Sequence, residues 1–285
     1  DYINYNKQLN LLIKNALAED IGDGDHSTLS CIDRQARGKA TLKIKQETVL
    51  AGVSVAEKIF RFMEPAVVFN RLKQDGEQVN YGETAFEVHA DVHTILQCER
   101  LVLNCMQRMS GIASLTKKYT DKISSYKTKL LDTRKTTPNF RLLEKEAVKI
   151  GGGVNHRFGL YDMIMLKDNH IDYCGGIEIA INKAFDYKQK YKPALKIEVE
   201  TRSVDDVEKV MSVGKIDRIM LDNFNPAQIT EALKLINGKY ETEASGGINY
   251  DNIEQYAATG VDYISSGAII HQAVSVDLSL KAIIV

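Results

Sequence analysis

Between Leu131 and Ile171 the chain places Arg134-Lys135, His156-Arg157 and Lys167 beside short apolar runs and the glycines Gly151-Gly152-Gly153. Most Lys/Arg runs are solvated surface. Here the cations end strand-like runs rather than decorate helix faces. Arginine grips carboxylates or phosphates through two parallel hydrogen bonds, and lysine adds a point charge. Such a group is costly unless a ligand or neighbouring acid neutralises it, so its chemistry is the binding of a strongly anionic substrate. Glu200 and Asp222 end two later apolar runs. Paired carboxylates of this kind suit Mg²⁺ shared with substrate phosphates or hydroxyls, or a retaining glycosidase. The glycosidase reading leaves the cations without a use. Ser245-Gly246-Gly247 and Ser266-Gly267-Ala268 follow the last two runs. Backbone N–H groups there can cradle a phosphate, and a plain tight turn is the alternative for each. Lys167 at a strand end would also suit a Schiff base, although Asp168-Asn169-His170 argues against it.

These residues need a frame. Short runs of β character recur at 129–132, 163–166, 195–199, 217–221, 241–244 and 262–265, with helix-compatible segments at 140–150, 176–191, 203–213, 226–237 and 250–258. Ser203 and Asn225-Pro226 suit helix starts. Strands alternating with helices predict parallel strands with right-handed crossovers. The six repeats predict an α/β barrel or an open, barrel-like sheet. Active sites of such barrels sit at the C-terminal ends of the strands. The residues that follow the runs here are cations, then acids, then glycine turns. A dinucleotide fold would show G-x-G-x-x-G after its first strand, and this chain has none there.

The first part of the chain reads differently. It has helices at 7–18 and 53–63, strands at 40–46, 66–72 and 84–89, and a turn at Asp75-Gly76. This predicts a small α+β unit over 1–112, followed by the barrel over 113–271. Glu19 to Thr28 is rich in acids and glycines but lacks calcium-loop spacing. A long helix is predicted over 93–125, interrupted at Ser110-Gly111. Arg100 lies on it and is unremarkable in isolation. His89 and His93 stand four apart, but strand alternation at His89 argues against a ligand pair.

The whole 285-residue chain carries a net charge of −1, which excludes generic nucleic-acid or membrane binding. Cys31, Cys98, Cys105 and Cys174 form no C-x-x-C pair and no zinc spacing, and read as reduced thiols. No apolar run approaches the roughly 18 residues of a membrane span. These features predict a soluble, cytoplasmic protein. The first residue is Asp, which fits a processed or trimmed start.

The stretch DTRKTTPNFRLLEKEAVKIGGGVNHRFGLYDMIMLKDNH closely resembles the signature of the quinolinate phosphoribosyltransferases, the carboxylating nicotinate-nucleotide pyrophosphorylases. The likeness runs along nearly the whole chain, through ALAEDIGDGD, ERLVLNCMQRMSGIASLT, IEVE, IMLDN, EASGGI and GVDYISSGAIIH. It implies an α/β fold made of an α+β sandwich domain and a type II phosphoribosyltransferase barrel, with 272–285 returning to the first domain. It also implies a homodimer with shared active sites and Mg²⁺ as cofactor. The implied reaction turns quinolinate and phosphoribosyl pyrophosphate into nicotinate mononucleotide, pyrophosphate and CO₂, in NAD biosynthesis. By position in the motifs, Arg134, Lys135, His156, Arg157 and Lys167 would line the quinolinate and phosphate pocket, and Arg100 would reach across the dimer. Lys135, Glu200 and Asp222 would be catalytic, with the two acids meeting the ribose and Mg²⁺–pyrophosphate. Ser245, Gly246 and Gly247, with Ser266, Gly267 and Ala268, would hold the 5′-phosphate. Ile270 and Gln272 replace an expected Thr and Ser, and Met165 varies a usual aliphatic. Rival readings are a paralogue of the same superfamily associated with molybdenum transport and a non-catalytic anion sensor. The paired acids argue against the sensor.

Overall fold

The computed structural model describes residues 4–283. In chain order its elements begin with α1 (Tyr5–Ile21), α2 (His26–Cys31), β1 (Arg37–Ile44), β2 (Thr48–Val49), α3 (Val53–Met63), β3 (Val68–Arg71), β4 (Gln78–Val79), β5 (Thr84–Asp91) and α4 (Val92–Lys122). There follow β6 (Lys129–Leu131), α5 (Arg141–Ile150), β7 (Ile164–Leu166), α6 (Asp168–Cys174), α7 (Ile177–Tyr191), β8 (Ile197–Thr201), α8 (Val204–Val213), β9 (Arg218–Asp222) and α9 (Pro226–Ile236). The last are β10 (Glu241–Ser245), α10 (Ile253–Ala257), β11 (Tyr263–Ser265), α11 (Ala268–His271) and β12 (Leu278–Ile283).

These elements form two compact units. One contains the chain up to Lys117, together with Thr136–Gly152 and the segment from Ile269. The other is Lys118–Lys135 with Gly153–Ala268. The sequence reading kept 113–271 together in the barrel. Instead, the segment that carries α5 belongs to the first unit, so the link from β6 to β7 is not an ordinary crossover.

The first unit holds an antiparallel sheet in the order β12-β1-β5-β3. The final strand pairs with β1, from Lys39 opposite Ile283 to Ile44 opposite Leu278. Phe60, Phe86, Leu42 and Ile44 are fully buried. The Phe60 and Phe86 rings meet edge-on with centroids 6.1 Å apart, and Phe69 and Phe86 at 4.6 Å. Offset and edge-on contacts suit the aromatic quadrupole, whose ring edge is positive and face negative.

Helix α4 is continuous through Ser110-Gly111, contrary to the predicted interruption. Packing accounts for both residues. The buried Ser110 hydroxyl accepts from Ala51 N at 2.9 Å and donates to Ala51 O at 3.1 Å. A Cβ on Gly111 would lie 2.2 Å from the Val274 carbonyl oxygen. The glycine permits close approach of another backbone, and the roughly 1 kcal/mol a helical glycine costs is accepted for it.

The second unit is a parallel six-stranded sheet in the order β6-β11-β10-β9-β8-β7. Val154 bridges to Leu131 on the other side of β6. Strands β7 to β11 follow one another in both sequence and space, as right-handed crossovers require. The helices start where local chemistry dictates. Ser203 accepts from the Asp206 N–H, and Asn225 and Gln228 form a reciprocal cap with Pro226 in the first turn. Residues 168–170 open the short helix α6, which is not among the helix segments expected from sequence, with Lys167 N donating to His170 Nδ1 at 3.0 Å.

Candidate active site

The site is best built strand by strand around the second unit. Beyond β6 lie Asp132, Arg134 and Lys135; Asp132 is fully buried, Arg134 half-buried and Lys135 exposed. The segment after Gly153 runs alongside, through two backbone bonds at Val154: its N–H donates to Leu130 O at 2.8 Å, and its carbonyl accepts from Asp132 N at 3.1 Å. This brings His156 and Arg157 beside the end of β6. His156 N donates to Asp132 Oδ1 at 2.7 Å. Arg157 is held below the usual guanidinium range, first by burial and then by the charge of Arg134. The two arginines therefore lie in each other's field.

Lys167 follows β7, Glu200 is the fourth residue of β8, and Asp222 is the last of β9. Glu200 is pushed up to about 7, first by burial, then by the charges of Asp222 and Asp168. Asp222 is also raised, mainly by burial, while Lys135 and Lys167 pull it down. Two acids and two cations from four strand ends thus share one neighbourhood. Ser245 ends β10, and both glycines after it have left-handed backbones, φ +92° at Gly246 and +67° at Gly247. A Cβ on Gly246 would meet Asn223 Oδ1 at 2.3 Å, so this turn requires glycine twice over. Ser266 and Ala268, after β11, are buried, and Ser266 N donates to Leu131 O at 3.1 Å. Arg100 is exposed on α4 of the first unit.

Beneath this rim the barrel interior is charged. His156 Nε2 lies 2.8 Å from Glu243 Oε1 and 3.1 Å from Glu198 Oε2. Arg218 Nη1 is 3.5 Å from Glu243 and 3.9 Å from Glu198, and Ser265 Oγ donates to Glu243 Oε2 at 3.1 Å. Burial lowers the proton affinity of His156, but the two glutamates outweigh it and push the imidazole up to about 9. Glu198 is pushed up to about 7 by burial and by Glu243. The two buried glutamates titrate together. The Arg157 amide lies 2.7 Å from His156 Nδ1, and Nε2 faces the two carboxylates. His156, Glu198 and Glu243 have the ligand types for a divalent ion, with donor atoms within 4.8 Å of one another. The Arg218 guanidinium already supplies positive charge to both carboxylates.

Family models match in two adjoining parts, quinolinate phosphoribosyl transferase N-terminal domain over 25–110 and C-terminal domain over 112–281. The chain belongs to the quinolinate phosphoribosyltransferase family. It is 42% identical to the chloroplastic nicotinate-nucleotide pyrophosphorylase (carboxylating) of Oryza sativa subsp. japonica, over 96% of this chain and 77% of that one. A probable enzyme of the same name from Bacillus subtilis is 40% identical, over 96% and 93% of the two chains. The solved nicotinate-nucleotide pyrophosphorylase of Francisella tularensis superposes with a TM-score of 0.88 at 38% identity, covering 98% and 97%.

In this quinolinate phosphoribosyltransferase family member, the sequence residues at the rim converge as their strand positions require. The interior residues Asp132, Glu198, Arg218, Glu243 and Ser265 were not singled out from sequence. A signal existed for one of them, Glu198. In Ile197-Glu198-Val199-Glu200 the acids alternate, so both project to one face of β8. With the other face packed on helices, that face is the barrel interior.

Proposed function

We propose that this chain transfers the phosphoribosyl group of phosphoribosyl pyrophosphate to quinolinate and releases pyrophosphate and CO₂, forming nicotinate mononucleotide for NAD biosynthesis. The observation that carries this reading is the ordering of the rim: cations after β6 and β7, acids on β8 and β9, glycine turns after β10 and β11. Each class suits one part of the two substrates.

Arg134, Lys135, Arg157 and Lys167 receive the anionic pyridine dicarboxylate and neighbouring phosphate. Ser245–Gly247 and Ser266–Ala268 hold the 5′-phosphate with backbone N–H groups. Glu200 and Asp222 face the ribose. Their proton affinities are raised first by burial and then by neighbouring negative charge; a hard dication with oxygen ligands relieves that crowding, so this pair fits Mg²⁺. A bound Mg²⁺ would offset the charge of the departing pyrophosphate.

The C1–oxygen bond to pyrophosphate breaks as positive charge develops on the ribose, and the carboxylates of Glu200 and Asp222 stabilise that charge. The pyridine nitrogen forms the new bond to C1 and becomes cationic. The bond from the ring to the adjacent carboxylate then breaks. CO₂ leaves, its electron pair stays at ring carbon C2 beside the cationic nitrogen, and a proton closes that carbon. Lys135 is our candidate to hold this proton. We place the enzyme in the cytoplasm as a homodimer, with Arg100 of one copy serving the site of the other. In support of a soluble setting, no helix among the described residues is long and apolar enough to cross a membrane.

The test is product formation from phosphoribosyl pyrophosphate and Mg²⁺ with quinolinate or nicotinate offered. Nicotinate mononucleotide with matching CO₂ from quinolinate alone is expected. Turnover of nicotinate instead would refute the dicarboxylate pocket. Arg100→Ala should cripple turnover and recover in mixed dimers with a second site variant; failure to recover would remove the shared site.

A further inference from the structure

We infer that Asn223 is a positioning residue: its carboxamide links the acid that closes β9 to the glycine turn that follows β10, so one side chain holds the ribose end and the 5′-phosphate end of the site in register. The inference rests on the proposed phosphoribosyl site and concerns how that site is held together.

Three contacts define the link. Asn223 Nδ2 donates to Asp222 Oδ2 at 3.1 Å. The reversed carboxamide would set an acceptor against an acceptor, so the amide nitrogen is the atom that must face this carboxylate. The Asn223 N–H donates to Ser245 O at 2.8 Å, one step beyond the Asp222–Ser245 pair that ends the parallel ladder. On its other side the carboxamide lies against Gly246, where a Cβ would come within 2.3 Å of Oδ1 and 2.8 Å of Cγ. Leu221 and Phe224 are buried on either side of this step, so the backbone that carries the exposed Asn223 is itself anchored.

The backbone explains why the residue is asparagine. Asn223 is left-handed, with φ +58°. Glycine, asparagine and aspartate accept that conformation most readily. Of the three, asparagine alone also donates a side-chain hydrogen bond. Glycine would keep the turn and lose the link. Aspartate would keep the turn but add a carboxylate where burial first, and then the charges of Asp222 and Asp168, already raise the proton affinity of Glu200. A position that had only to turn the chain would be served as well by glycine. Asparagine is the residue that turns the chain and also holds Asp222.

The experiment measures KM for both substrates, and calorimetric binding of phosphoribosyl pyrophosphate, in Asn223→Gly and Asn223→Asp. Both replacements accept the left-handed backbone, so Tm should stay near that of wild type. Asn223→Gly should weaken phosphoribosyl pyrophosphate about tenfold by either readout and leave KM for quinolinate near the wild-type value. Asn223→Asp should weaken it further, about thirtyfold, because repulsion of the anionic substrate and of Asp222 replaces the lost hydrogen bond. Wild-type affinity for phosphoribosyl pyrophosphate in folded Asn223→Gly would overturn the link, and so would an equal rise in both KM values. Should that variant not fold, wild-type affinity in Asn223→Asp overturns it equally. Failure of the wild-type protein to bind phosphoribosyl pyrophosphate would instead refute the underlying site reading. Binding by wild type that neither variant weakens refutes the link alone.

Discussion

Both units have apolar cores, but the parallel unit also buries a charged cluster among its strands. The antiparallel unit closes on Phe60, Phe69 and Phe86, rings in mutual contact. Besides its apolar side chains, the parallel unit buries His156, Glu198, Glu243 and the mostly buried Arg218. Aromatic burial is non-directional and stabilises in proportion to the area removed from water. Buried charge contributes little net stability and fixes distances. In this molecule the apolar core serves folding, whereas the charged interior lies beneath the strand ends that carry Lys167, Glu200 and Asp222.

That contrast is testable by asking which unit loses activity and which loses stability. Arg134→Ala should lower kcat/KM for quinolinate about a thousandfold or more, corresponding to about 4 kcal/mol of transition-state stabilisation. Its unfolding midpoint should stay near that of wild type; a large drop in Tm would show the arginine to be structural. Phe86→Ala should do the reverse, costing at least about 3 kcal/mol in urea unfolding while the folded fraction keeps its kcat/KM. Gly111→Ala should destabilise by about 1–3 kcal/mol, because its Cβ must displace the Val274 carbonyl. A neutral result would mean that the segment around Val274 yields freely.

The smallest effect is a pH dependence confined to the charged interior. The proton affinity of His156 is raised from the ordinary 6.5 to about 9. A raised folded value means that the native state holds the proton more tightly than the unfolded chain. The stability this contributes is fully present below about 6.5 and is lost as pH rises through about 9. Tm should decline across that window, and Glu243→Gln should flatten the decline. An equally steep decline in the variant would place the titrating group elsewhere.

Much of the fold was legible because local rules and tertiary structure agree. The apolar run at 217–221 became β9 and the amphipathic 53–63 became α3, each within a residue or two. The strand-end placement of Lys167, Glu200, Asp222 and Ser245 was legible for the same reason: each follows or closes a short apolar run. The misreadings were non-local. Ser110-Gly111 looks like a helix break until Ala51 and Val274 are beside it. The segment carrying α5 keeps its helical pattern while belonging to the other unit. Glu243 looks like an ordinary polar strand residue in Glu241-Thr242-Glu243, and only the strand order shows that it meets a histidine 87 positions earlier.

The pairing of β12 with β1 has a consequence for how the chain is made. A ribosome releases β1, β3 and β5 early, yet the partner for the remaining edge of β1 is made only after the whole parallel unit. Throughout synthesis of the barrel, that edge has backbone donors and acceptors unmet by the strand that will cover them, the kind of template on which nascent chains pair wrongly. Lys39, Thr41 and Lys43 lie along that strand, and the two lysines make it a poor seed for strand-to-strand aggregation until β12 arrives. Loss of the few residues of β12 would therefore wound a sheet encoded more than two hundred codons earlier.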